Sequence, residues 1–371
     1  MKSIIPFEPD CWVSSDFGRS ALWAVCSVIL AMLLTGPLKA DELDASMVDT
    51  APSPGSQLTF TIYSDNDAPT YKPNDSSDRH YTAGNGFSLH HRPECADEIA
   101  RFMPFADAFG PAETGLGYFA YHVIHTPQNL NRARPIPLDT PYSGHFNFGT
   151  YWQRVDPGRT TLDHFQLEIG FVGPAAAGES IQRWFHKNLD SDEPKGWDNQ
   201  LDDEVTVNLH VRKKWRVLQT QADMAGLPLQ FDLIPQAGAG LGTVRTQLEA
   251  LIKARVGMNV PDDFGPGRLF DFADATSSPP DGWSLYTFAT VGGRLIAHDL
   301  YTDGTVFHSS RFTVDSEPAV GELRWGLNAS YRAERWSAAL GYAQTFLTRE
   351  FDTQDEAHSY GSWMLAFQYD F

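Results

Sequence analysis

The residues best placed to do acid–base chemistry are a histidine and a glutamine one helical turn apart. His186 closes the run Gln182-Arg183-Trp184-Phe185-His186. Positions four apart share a helix stripe, so Gln182 and His186 face the same way. A neutral imidazole beside aromatic neighbours could act as a general base near neutral pH. A lone histidine is more often structural. The second concentration of polar groups is Ser64-Asp65-Asn66-Asp67, followed by Asp78-Arg79-His80-Tyr81-Thr82-Ala83-Gly84. An Asx-type turn would account for such a cluster without any function. Asn66 and Asp67 are neighbours, and neighbours point to opposite faces of a regular strand. A bulge or the strand's end must intervene if both serve one site. The chain has no Gly-x-Ser-x-Gly elbow and no obvious catalytic cysteine, which suits water as the nucleophile.

These residues need elements to hold them, and the pattern of the chain says which. Leu58, Phe60 and Ile62 alternate with Thr59, Thr61 and Tyr63, the period of a half-buried strand. Twelve such segments follow one another, at about 57–66, 81–92, 115–126, 143–154, 162–173, 204–217, 228–241, 245–257, 283–298, 319–332, 335–349 and 360–371. Many have the length that crosses a bilayer at a tilt, and an even number is what a bacterial outer-membrane barrel requires. In hydrocarbon every strand edge must be paired, so the sheet must close. At the C-terminus Trp363, Leu365, Phe367, Tyr369 and Phe371 make one large apolar face, against Ser362, Met364, Ala366, Gln368 and Asp370 on the other. The reading is therefore all-β: a 12-stranded antiparallel transmembrane β-barrel with a short helix in an extracellular loop. A soluble β-sandwich also alternates and is the competing architecture. The insertions 93–114, 127–142, 174–203, 258–282 and 299–318 are expected to face outward, as long barrel loops do. The one helix expected runs from Gly178 to about Leu189, with Ile181, Phe185 and Leu189 on one apolar stripe. Such a helix must lie against the barrel wall or the membrane surface.

Residues 1–40 read as a secretory signal peptide, because the apolar run 21–34 is shorter than a spanning helix and Leu38-Lys39-Ala40 offers a cleavage site before Asp41. An N-terminal membrane anchor is the alternative. Residues 41–56 form a short N-terminal segment, and 57–371 the barrel. Cys11 and Cys26 fall in the leader, leaving Cys95 alone in the mature chain, so no internal disulfide and no cysteine metal cluster can form. The formal net charge of −19 makes nucleic acid an unlikely partner, since phosphate contacts need clustered Lys and Arg. An acidic chain is compatible with a metal-dependent role at an anionic surface.

Asn66-Asp67, the stretch 78–84, Gln182-Arg183-Trp184-Phe185-His186 and Lys195-Gly196-Trp197-Asp198-Asn199-Gln200 together resemble the outer-membrane lipid A 3'-O-deacylases of the LpxR type. The likeness runs from about Gln57 to Phe371. It implies a hydrolase that removes the ester-linked 3' acyl (acyloxyacyl) group of lipid A at the outer rim of the barrel. It maps His186 onto the family's catalytic histidine, Asn66 and Asp67 onto its Asn-Asp pair, and Thr82 onto its threonine. It implies Ca2+ at Asn66 and Asp67, since amide and carboxylate oxygens suit a hard cation that would polarise the ester carbonyl. A family glutamate after the histidine falls on Asp192 by ungapped count and on Glu193 by its Glu-Pro-Lys-Gly-Trp context, and the context is preferred. Gln182 and Arg132 are expected to contact substrate, Arg132 through lipid phosphates. The expected partners are lipid A and lipopolysaccharide in the outer leaflet, with the barrel assembly machinery acting during biogenesis. A non-catalytic barrel, such as a pore or surface-binding protein, and an outer-membrane phospholipase are the rival functions.

Overall fold

The computed structural model describes residues 57–67, 79–93, 112–189, 191–224, 226–310, 312–355 and 357–371. The expected leader, the segment 41–56 and Cys95 lie outside the described residues. Strands follow the alternating segments closely: β1 (Gln57–Asn66), β2 (His80–His91), β3 (Glu113–Thr126), β4 (Ser143–Val155), β5 (Thr161–Val172), β6 (Glu204–Trp215), β7 (Leu218–Met224), β8 (Leu227–Gly242), β9 (Arg245–Met258), β10 (Gly282–Asp299), β11 (Ala319–Arg332), β12 (Trp336–Leu347) and β13 (His358–Asp370). All pairings are antiparallel, and β1 pairs with β13 while β6 pairs with β8, so the sheet closes on itself. β6 and β7 lie end to end along β8 and form one barrel strand. The thirteen segments are thus twelve barrel strands. The expected strand 204–217 is interrupted at 216–217, where the Arg216 side chain is buried, ion-paired with Asp262 and donating to the Arg159 carbonyl. The strand then runs on to Met224, beyond the expected end.

Alternation sorts the side chains. Phe60, Ile62, Phe87, Phe148, Ile169, Leu248, Ile252, Trp325, Trp363 and Leu365 are exposed on the outer surface. The opposite parity is polar and buried. Tyr121 donates to Glu168 at 2.5 Å, His210 meets the same carboxylate at 2.7 Å, and Arg212 pairs with Glu249 at 2.9 Å. An apolar outer band over a polar interior is the pattern of a barrel that spans lipid. Among the described residues no helix is long and apolar enough to cross a membrane.

One expectation fails. Of the five insertions expected to face outward, 127–142, 173–203 and 300–318 leave one end of the barrel, but the connections 92–112 and 259–281 leave the other, where β1 begins and β13 ends. In an up-and-down barrel successive connections alternate between ends, so length alone does not place a loop. Residues 259–281 fold back into the lumen. Phe264, Leu269 and Phe272 are at most 1% exposed there. Lys214 binds Asp271 at 2.9 Å, Arg268 binds Glu322 at 2.5 Å and Arg159 binds Asp274 at 2.9 Å. This segment is a plug held by buried ion pairs.

Candidate active site

β1 ends and β2 begins at the rim that carries the loops 127–142 and 173–203. The ladder between them runs regularly to Asn66, which pairs with Ala83, and one further bond joins Asp67 N–H to the Thr82 carbonyl at 3.1 Å. Between β2 and β3 the register shifts from Tyr81/His125 to Ala83/Ile124, so Thr82 is the extra residue of a β-bulge. The bulge lets both Tyr81 and Thr82 be buried although they are neighbours. Tyr81 turns inward and donates to Asp65 at 2.8 Å. The Thr82 hydroxyl meets that of Thr126 at 2.7 Å, and Thr140 donates to the Thr126 carbonyl at 3.3 Å. His80, at the start of β2, adopts φ 58°, a left-handed conformation unusual for a residue with a Cβ. It directs the Arg79 N–H to the Asp67 carboxylate at 2.7 Å. Nearby, burial lifts the Asp139 carboxyl above the usual range, against hydrogen bonds from the N–H groups of Gln128 and Thr140.

The bulge does not bring Asn66 and Asp67 together. Asn66 is exposed on the outer parity with Phe60 and Ile62, and Asp67 is 2% exposed. The outer wall at this level is a row of paired residues across four strands: Asn66, Ala83, Ile124 and Gly144.

Helix α1 (Gly178–Leu189) sits on that row, on the outside of the barrel. A Cβ on Gly144 would lie 2.7 Å from the Gly178 Cα, so the two glycines permit backbone-to-backbone contact. One turn on, Ile181 packs against Ile124, Tyr142 and Trp197. The helix therefore advances from β4 toward β3, in the direction of Asn66. The expected apolar stripe is only partly used. Ile181 packs inward, but Phe185 is 44% exposed, and the Leu189 side chain lies outside the described residues. Gln182 is a buried side chain of the helix at 3%, accepting from the Trp197 indole at 2.9 Å. The second half of α1 is the more exposed, with Trp184 at 61% and Phe185 at 44%.

His186 lies on that second half, half-buried. Its Nδ1 is 2.5 Å from the Asp192 carbonyl oxygen. A carbonyl can only accept, so Nδ1 carries the proton and Nε2 is the basic nitrogen of the neutral ring. The tautomer follows from this hydrogen bond rather than from an observed hydrogen. Asp192 thus orients the ring through its backbone, while its carboxylate accepts from Asn131 at 3.1 Å. Glu193 is exposed and lies 3.6 Å from Arg183. Loop 127–142 is tied to this region by Lys195 N–H to the Leu130 carbonyl and Asn199 to the Ala133 carbonyl, both at 2.9 Å. That places exposed Arg132 on the same rim as His186.

A family profile described as outer membrane protein LpxR matches residues 25–369. The chain belongs to the LpxR family. Among solved structures it is similar to LpxR from Salmonella typhimurium, at 18% identity and a TM-score of 0.65, covering 83% of this chain and 99% of that one. The transport unit of the autotransporter AIDA-I from Escherichia coli is a much weaker likeness, at 11% identity and a TM-score of 0.35 over 95% of this chain and 99% of that one. No curated protein matches the sequence. The chain is thus an outer-membrane β-barrel of the LpxR family.

In this LpxR-family barrel the structure gathers His186, Gln182, Glu193 and Arg132 on one outer rim, with Asn66 and Thr82 on the wall toward which α1 points. It turns Asp67 away from Asn66. The sequence reading missed Trp197 as the seat of Gln182, Thr126 as the partner of Thr82, and the outer-wall residues Asn85 and His122. The last two lie on the same face of the sheet as Ile62 and Phe87, and strand register alone could have shown them.

Proposed function

We propose that this chain is a lipid A 3'-O-deacylase of the outer membrane, hydrolysing the ester of the 3' acyl (acyloxyacyl) group with water activated by His186. Membership of the LpxR family supports the lipid A deacylase class. The observation that carries the mechanism is the Asp192 carbonyl on His186 Nδ1, which leaves Nε2 to take a proton from the attacking water. Gln182 and Trp197 fix the helix that presents the ring. Asn66, on the wall toward which α1 points, donates its amide N–H to the oxygen that gains charge as water adds. Arg132 and its neighbours offer a guanidinium to lipid phosphates from the rim. Glu193 acts with Arg183 in positioning the loop that supplies the Asp192 carbonyl.

Ca2+ is part of the proposal, with Asp67 as its carboxylate ligand. Among the described residues no three His, Cys, Asp or Glu side chains converge, so the remaining ligands would be hydroxyl, amide and carbonyl oxygens, which hard cations accept. Asn66 would contribute to the site from the other face of the strand, not as a side-chain partner of Asp67 on one ion. A cation bound at Asp67 would add positive charge at the end of β1, whose outer face carries Asn66. The signal peptide would deliver the chain for secretion, and the barrel assembly machinery would insert it.

The rival pore is disfavoured by the plug, whose ion pairs and aromatic side chains occupy the lumen. The test is a calcium-titrated assay of the purified barrel on lipid A and on glycerophospholipid. Release of the 3' acyl chain from lipid A, lost on chelation and restored by calcium, is the expected result. Hydrolysis of glycerophospholipid alone would make it a phospholipase, and hydrolysis of neither would end the enzyme reading.

A further inference from the structure

Below the Asn66 row, the outer wall carries a second polar row that the proposed mechanism does not use. Ser64 pairs with Asn85 and Asn85 with His122, all on the lipid-facing parity. Ser64 donates to the Asn85 side-chain oxygen at 2.9 Å in an exposed pair. That bond occupies the amide oxygen of exposed Asn85 and leaves its NH2 group as a donor, for which the described residues show no acceptor. His122 is locked at the far side, its Nε2 2.9 Å from the Ala176 carbonyl. Polar groups on a lipid-facing wall are costly, and least so near the interface. A donor there is suited to a ligand that brings an acceptor into the membrane.

The rows read downward as a ligand. Asn66 and Ala83 stand level with the helix that holds His186. Ser64 and Asn85 lie one inward–outward repeat lower, about 7 Å along the strand. Below them Ile62 faces Phe87, and the Phe60 and Phe87 rings lie tilted with centroids 6.0 Å apart. Ile62 and Phe87 are 44% and 47% exposed. Phe185, seven residues after Gly178 and so on the same face of α1, is 44% exposed, so that face of the helix is left uncovered at its far end. An ester, then a hydrogen-bond acceptor a few atoms along the chain, then plain methylenes would match the three levels in order.

We infer that Asn85, held by Ser64, hydrogen-bonds an oxygen carried near the carboxyl end of the acyl chain, a hydroxyl or an acyloxy ester. It thereby selects oxygen-bearing chains over plain fatty acyl chains. The inference rests on the deacylase reading above and names how that site would recognise its substrate. Asn85 is a specificity-determining residue in this account, and it takes no part in proton transfer.

The test compares two synthetic glucosamine esters, one bearing a 3-hydroxyacyl chain and one the same chain without the hydroxyl. The full-length barrel in detergent or vesicles should prefer the hydroxylated ester about tenfold in kcat/KM, the worth of one good hydrogen bond. Asn85→Leu should bring that ratio to about one, and Ser64→Ala should lower it partway. Leucine suits a lipid-facing position, and heat-modifiable gel mobility confirms that each variant is folded. An unchanged ratio in folded Asn85→Leu overturns this inference alone. Hydrolysis of neither ester by the wild-type barrel overturns the deacylase reading and this inference with it.

Discussion

At His186 the chemistry depends on which ring nitrogen holds the proton. In the proposed mechanism the Asp192 main-chain carbonyl, 2.5 Å from Nδ1, places the proton on that nitrogen. This could not be read from residue types, because every residue has a carbonyl. Residue types offer Asp192 and Glu193 as carboxylates, and the contact of Asp192 with His186 is through its main-chain oxygen. The pair Asn66-Asp67 was legible as a polar strand end, and the parity conflict was legible too. What the sequence could not show is that the bulge falls on Thr82 and leaves β1 regular. Asp67→Ala removes the only carboxylate proposed to hold the cation. We predict a fall in turnover of about 10²–10³, the usual cost of one oxyanion stabiliser, with calcium stimulation lost. A barrel of normal gel mobility that deacylates at the wild-type rate and still responds to calcium would remove Asp67 from the site.

Helix α1 was fully legible as an element, because its glycine start and i, i+4 spacing are local. Its docking was not. The seat depends on Gly144 in another strand and on Trp197 beyond the helix, and both contacts are set by tertiary packing. Phe185 was expected to bury and stays 44% exposed, while Ile181 alone of that stripe packs on Ile124, Tyr142 and Trp197 among the described side chains. A methyl group at Gly144 or Gly178 must push the helix off β4, since the neighbour is backbone and cannot rotate away. Gly178→Ala and Gly144→Ala should each cost about 1–3 kcal/mol of local docking. Their expected signature is a large loss of deacylation with unchanged gel mobility and faster proteolysis within 174–203. Equal activity in both variants would mean that α1 does not need this contact.

For the molecule as a whole, the strands were the most legible feature, because one face meets lipid and the other a polar lumen. Alternation along each strand records that difference directly. The plug was illegible for the converse reason. Residues 259–281 have no repeating period, and Phe264, Leu269 and Phe272 meet their partners only inside a closed barrel. Replacing 262–279 by a short Gly-Ser connector leaves β9 and β10 adjacent, so the barrel should still assemble. The wild-type protein should be silent in planar bilayers and the shortened one conducting. A silent shortened barrel of normal gel mobility would show that other side chains close the lumen.

The central claim is that His186 is the base, and its most direct measurement is mass spectrometry of lipid A from cells carrying His186→Gln. Glutamine keeps a comparable polar volume but cannot take the proton. His186 lies outside the strands, so the barrel should assemble at the wild-type level. Loss of a general base usually lowers the rate by about 10²–10⁴-fold, and the loss should fall on the chemical step rather than on substrate binding. The account predicts lipid A that retains its 3' acyl group in the variant and loses it with the wild-type protein. Normal deacylation by His186→Gln at equal protein levels would contradict it.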